Sequence, residues 1–164
     1  MKNTMIVENI SQEVKGSFEG FTSNLERELG VLSPAALQAL GAVPGSMESY
    51  LRDVNVENEL VLINFFSQED LSNKANSRKI KQYQVGNPRI MCRMAIKDAS
   101  AGLYFPLQLL VYEKLDGKVM VEYDLPSSLF TRFKDPEIFS DAMILENNLA
   151  KLVRKADKEN SEED

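Results

Sequence analysis

The chain has 164 residues, 43% hydrophobic and 27% charged, the balance of one globular domain long enough to bury a core. It has no histidine and one cysteine, Cys92, which excludes Ser-His-Asp and Cys-His catalysis, imidazole metal sites, intrachain disulfides and thiol zinc sites. Its net charge of −6 argues against nucleic acid as a partner, and no apolar run is long enough to span a membrane.

Met5 to Val14 reads as a strand, ended by Gly16-Ser17. Glu8 interrupts any apolar stretch of signal-peptide type, so a cytoplasmic protein is expected. Ser17 caps a helix to Leu29, in which Phe18, Phe21, Leu25 and Leu29 form one apolar face. Residues 33–53 predict two short helices, starting at Ser33-Pro34 and broken by Gly41, Pro44 and Gly45. Leu60 to Phe66 is short, β-branched and aromatic, hence a strand. After a polar loop over 67–77, Ile80 to Val85 alternates as a second one.

Asn87-Pro88 then opens a helix to about Lys97, with Arg89, Arg93 and Lys97 on one side. Ala101-Gly102 turns the chain into a strand from Tyr104 to Glu113. Asp116-Gly117 predicts a two-residue hairpin turn, which sets Glu113 opposite Met120, Val111 opposite Glu122 and Leu109 opposite Asp124. Leu110, Tyr112, Val119, Val121 and Tyr123 then face the helices. Asp135-Pro136 starts the last helix, whose apolar positions Ile138, Ala142, Leu145, Leu149, Leu152 and Ala156 recur at steps of four and three.

This order predicts one α+β domain over 1–156, an antiparallel sheet with helices layered on one face and a short helical insertion at about 33–53. The acidic, apolar-free tail 157–164 is expected to be disordered.

Several segments resemble the bacterial and archaeal family called domain of unknown function 302. They are Gly86-Asn87-Pro88, Ala101-Gly102-Leu103-Tyr104 with Pro106-Leu107, Val111-Tyr112-Glu113, and Tyr123-Asp124-x-Pro126-Ser127-Ser128. The match is dense from about Gln82 to Phe130. The resemblance implies a TBP-like two-layer fold, a curved antiparallel sheet backed by helices, often dimeric. It implies no reaction and no catalytic residues. Long-form relatives carry an acidic-His-Gly element before the middle strand, where this chain reads Gln68-Glu69-Asp70-Leu71.

Candidate sites each have a plainer alternative. Asn87 is a ligand group at a helix N-terminus, or simply the cap. Leu71 to Lys97 holds seven basic residues and no acid. Its Arg89, Arg93 and Lys97 stripe suits an anionic ligand or acidic partner, or pairs with the chain's own acids, Asp135 and Glu137 among them. Cys92 is a thiol activated by Arg89 and Arg93, or a small helix residue. Tyr104, Tyr112 and Tyr123 with Glu113, Glu122 and Asp124 are the remaining acid/base cluster, or a mixed surface. Ser127-Ser128 lacks a nucleophile context and suits a turn.

Strands 60–66 and 107–111 read as apolar on both faces, which calls for two covers. The insertion 33–53, a second subunit or an apolar ligand is expected to supply the second. The expectation is therefore a small-ligand-binding or dimerising module using the open sheet face, rimmed by Glu113, Glu122 and Asp124 beside Leu109, Val111 and Met120. Asn87, Arg89, Arg93 and Tyr104 complete the candidate set. A homodimer with a small hydrophobic or anionic ligand is expected, without cofactor, metal, nucleic acid or membrane. The alternative is a histidine-free hydrolase or lyase using tyrosine and carboxylate groups.

Overall fold

The computed structural model describes residues 4–32, 60–67 and 78–160, with isolated positions 35, 38 and 49. Among the described residues, six strands form one sheet: β1 Asn9–Val14, β2 Gly30–Val31, β3 Val61–Ser67, β4 Ile80–Gly86, β5 Leu107–Glu113 and β6 Val119–Asp124, in the order β1-β6-β5-β4-β3-β2. All neighbours pair antiparallel except β2 with β3. Among the described residues the helices are α1 Phe18–Glu28, α2 Pro88–Lys97, the single turn α3 Pro126–Leu129 and α4 Pro136–Asn160, with 3-10 turns at Ala99–Tyr104 and Thr131–Phe133.

The three long helices start where a side chain satisfies an orphan amide. Ser17 Oγ accepts from Gly20 N at 3.0 Å, Asn87 Oδ1 from Ile90 N at 3.1 Å, and Asp135 Oδ1 from Glu137 N at 2.8 Å. Their apolar stripes meet one face of the sheet. Phe21, Leu25, Ile90, Met94 and the whole Ile138-to-Ala156 stripe are buried in one core with Tyr83, Val85, Leu109, Val111 and Val121. The result is a two-layer α+β domain. The insertion expected at 33–53 lies outside the described residues. α4 continues past residue 156, where Asp157 Oδ1 accepts from Lys15 N at 2.7 Å and Glu159 pairs with Arg27 at 2.6 Å.

The hairpin register differs from expectation by one residue. Leu110 pairs with Glu122, Val111 with Val121, Tyr112 with Met120 and Glu113 with Val119. Lys114 N donates to Lys118 O at 2.8 Å, and Gly117 N to Lys114 O at 3.0 Å. The loop is thus three residues, Leu115-Asp116-Gly117, with Gly117 at φ +82°, the geometry of a turn closed by a left-handed glycine. One residue of slip exchanges faces. Leu109 and Val111 lie in the helix-covered core, fully buried, while Leu110 and Tyr112 turn to the other face. Glu113, opposite Val119, faces the helices rather than Met120.

β3 also departs from strict alternation. Its register shifts between Leu62 and Asn64, so Ile63 is an extra residue of a bulge. Leu62 then pairs with Val85 and Phe65 with Tyr83 on the helix side, while Asn64 and Phe66 pair with Gln84 and Gln82 on the other. The two apolar faces expected of this strand are therefore mixed ones. The strand expected from Tyr104 begins at Leu107, because Tyr104 closes a 3-10 turn and Pro106 has no amide hydrogen for a ladder.

Candidate functional site

Two successive ladders determine what happens at one end of the sheet. In β4–β5, Glu113 N donates to Lys79 O, so pairs built on odd residues exchange hydrogen bonds. Gln84 and Gln108, even-numbered partners, are a non-bonded pair, and Gln108 turns its N–H and C=O away from β4. In β1–β6, Leu125 N donates to Glu8 O. Asn9–Asp124 is then a non-bonded pair, and Asp124 turns its main-chain groups away from β1. Both sets point into the seam between β5 and β6. That ladder, however, stops at Leu110–Glu122. The next hydrogen-bonded pair would be Gln108–Asp124, and it is not formed.

A cleft of about 320 Å³ occupies this split. Gln84, Gln108 and Asp124 supply its polar lining, and Leu103 to Leu107 with Leu129 its apolar walls. Asp124 Oδ1 accepts from Asn9 Nδ2 at 3.0 Å, and Gln108 Oε1 accepts from Gln82 Nε2. Tyr104 is fixed edge-on against Phe130 and Phe133, with ring centroids at 5.5 and 6.1 Å.

A second, larger groove of about 700 Å³ runs between the Thr4–Glu8 segment and Ser127, Thr131, Arg132 and Phe139. Tyr104 is tied to both: it lines the smaller cleft, its hydroxyl meets Met5 Sδ at 3.5 Å, and the Arg132 guanidinium lies 5.4 Å from its ring centre. Ser128 is structural here, its Oγ accepting from Glu8 N and donating to Leu125 O.

The remaining candidates are dispersed. Asn87 is fully buried as the α2 cap. Arg93 makes a two-pronged pair with Asp141, and Lys97 pairs with Glu137 at 2.6 Å, so the basic stripe meets acids of α4. The Asp141 carboxylate holds the Arg93 pKa above its usual value. Arg89 and Cys92 are exposed on α2. Glu113 pairs with Lys79 at 3.5 Å.

Glu122 lies on the open face, accepting from Ser11 Oγ at 2.9 Å and Tyr112 Oη at 2.7 Å. Its carboxylate raises the Tyr112 pKa through that hydrogen bond, which keeps the phenol a donor. Met120 is buried on that face between strand neighbours. The cleft thus brings together only Tyr104 and Asp124 of the expected set and adds Gln84 and Gln108. Neither glutamine has a local signal, because the cleft arises from a pair that does not form. Among the described residues, no group of three or more cysteine or acidic side chains gathers to hold a metal, and no helix is long and apolar enough to cross a membrane.

These features define a two-layer α+β protein with helices on one sheet face and a cleft where two central strands part. The family model for the domain of unknown function DUF302 matches residues 54–156, and the chain belongs to that family. Among solved structures it is similar to an uncharacterized conserved DUF302 protein from Bacillus stearothermophilus, at 18% identity and a TM-score of 0.63, over 90% of this chain and 97% of that one. No curated protein matches. β1 and α1 precede the segment matched by the family model, yet the structural likeness extends over nearly the whole chain.

Proposed function

We propose that this chain is a cytoplasmic small-ligand-binding module, and that its site is the cleft between the parted ends of β5 and β6. The observation that carries the reading is the unformed Gln108–Asp124 pair. It leaves main-chain donors and acceptors aimed into a concave space of mixed polar and apolar lining, where a ligand can complete them as a strand would.

The chemistry of the lining narrows the ligand. Leu103, Tyr104, Phe105 and Leu129 suit an apolar body. Two amides and the Asp124 carboxylate suit a hydrogen-bonding head that is neutral or cationic, and they disfavour an anion. Binding is favoured over catalysis because the tyrosine–carboxylate pair, Tyr112 with Glu122, sits on the open sheet face with its phenol held protonated.

A thermal-shift screen of neutral and cationic amphiphiles tests the reading, with amide chemical-shift mapping of any hit. Hits should raise the melting temperature and perturb Gln84, Gln108 and Asp124. Gln108→Trp, a change at an exposed position, should plug the mouth and abolish the shift. Asp124→Asn should lower the preference for cations. Hits that map elsewhere, or an absence of hits across the screen, would remove the proposal.

A further inference from the structure

We infer that the larger groove, between segment 4–8 and residues 127–132, is a second ligand site, fitted to a small apolar zwitterion, the chemistry shared by free amino acids and short peptides. The observation behind it is a pair of opposite charges, Glu8 and Arg132, that line one space of about 700 Å³, a volume in the range of small-molecule sites. Among the described residues neither charge has an ion-pair partner, and the two do not pair with each other.

Both charges are held in place. The Arg132 guanidinium lies 4.7 Å from the Phe133 ring centre and 5.4 Å from that of Tyr104, and it donates to Ser100 Oγ at 2.7 Å. Ser100 Oγ in turn donates to Asp98 Oδ1 at 2.6 Å, so Asp98 orients the arginine through a hydroxyl rather than by direct contact. Among the described residues that bond uses one of the five guanidinium N–H groups. The Glu8 main chain is pinned at both groups, its N donating to Ser128 Oγ at 3.0 Å and its O accepting from Leu125 N at 2.8 Å. Ser127, whose N is taken by Glu146 Oε2 at 3.1 Å, has a hydroxyl without a partner among the described residues.

The ligand class follows from the lining. A guanidinium fork with free N–H groups suits a carboxylate, which it grips with two bonds. The Glu8 carboxylate suits an ammonium. An anion alone would meet Glu8 and a cation alone would meet Arg132, so a ligand carrying both charges is the one that uses both. Its body is to be apolar, because Ile6 and Phe139 line opposite banks and are 84% and 47% exposed. The Ser127 hydroxyl serves either charged end. This groove and the cleft share no lining residue, so either proposal can fail alone.

Titration calorimetry with leucyl-leucine and with free leucine tests this, with amide chemical-shift mapping. Binding should perturb Glu8, Ser127, Thr131 and Arg132 and leave Gln84 and Gln108 unmoved. N-acetyl-leucyl-leucine lacks the ammonium and leucyl-leucinamide lacks the carboxylate. Each should bind about tenfold more weakly or worse, the loss of one hydrogen bond to a charged group. Glu8→Gln, a change at an exposed residue, should abolish the preference for leucyl-leucine over its acetylated form and keep the preference over the amide. Arg132→Gln should do the reverse. If Arg132→Gln fails to fold without its ring contacts, Glu8→Gln decides. Tighter binding of leucyl-leucine than of leucine would assign the site to peptides, and the reverse to amino acids; both carry the inference. No binding of either at millimolar concentration, equal binding of the capped forms, shifts confined to Gln84 and Gln108, or a preference that survives Glu8→Gln overturns it.

Discussion

Val111 lies opposite Val121 across the central hairpin, and both side chains are fully buried beneath the helices. This relationship decides which residues of β5 hold the domain together. Leu109 shares the buried face, whereas the adjacent Leu110 is only half-buried on the open one. Leu109→Ala should therefore cost about 2–5 kcal/mol, the range for a truncated core leucine. Leu110→Ala should cost about 1 kcal/mol or less. Urea melts of the two variants check this, and the opposite ranking would restore the two-residue turn.

Elements set by local chemistry were legible in the sequence. The caps at Ser17, Asn87 and Asp135 and the stripe of α4 need only neighbours within one or two turns. The hairpin was legible as a hairpin, but its register was not, because Asp116-Gly117 serves a two-residue loop and the end of a three-residue one equally well. That single ambiguity exchanged the faces of Leu109 and Leu110 and made the open face look more apolar than it is. The bulge at Ile63 had the same effect on β3, since alternation counts assume every residue takes its turn. The cleft was least legible. It depends on Gln108 and Asp124 lying in adjacent strands without pairing, which no motif encodes.

The basic helix is tied to the domain's own acids, and the tie is measurable. Arg93 grips Asp141 with two hydrogen bonds, and the Asp141 side chain is 7% exposed against 44% for Arg93. Exposure of the arginine moderates the interaction, so a double-mutant cycle should give a coupling of about 1 kcal/mol. Arg93→Ala alone should be worse than that coupling, because it leaves a buried carboxylate without its cation. A coupling near zero would mean that the pair is an idle surface contact.

Tyr83 is buried in the core and donates to Glu26 Oε1 at 2.7 Å, while Lys81 reaches the same carboxylate oxygen at 2.5 Å. Burial, then the Glu26 hydrogen bond, push its pKa far above the ordinary phenol value. Tyr83→Phe should cost about 1 kcal/mol at neutral pH, the net worth of one hydrogen bond. A raised folded pKa contributes stability that is intact below the unfolded value of about 10 and falls as pH rises beyond it. Wild type should therefore lose stability above about pH 10, with a flatter decline in Tyr83→Phe. Chemical melts at neutral and alkaline pH compare the two directly, and parallel alkaline curves would show that Tyr83 is not the group responsible.

Asp135 starts α4, the helix that carries the longest buried stripe. Its Oδ1 accepts from Ile138 N at 3.1 Å and Glu137 N at 2.8 Å. The Ile138 amide bond lowers its pKa below the usual carboxylate value, and the bond from Glu137 adds to this. A depressed folded pKa contributes stability that is present above the unfolded value of about 3.9 and disappears as pH falls through the folded one. Asp135→Ala should be less stable than wild type at pH 7, and the gap should narrow below about pH 4 as the wild-type carboxylate protonates. Asp135→Asn keeps a cap acceptor but no charge, so it should fall between the two at neutral pH and show the weaker acid dependence. If the gap between Asp135→Ala and wild type is unchanged at pH 3, the charge on Asp135 plays no part in holding the start of α4.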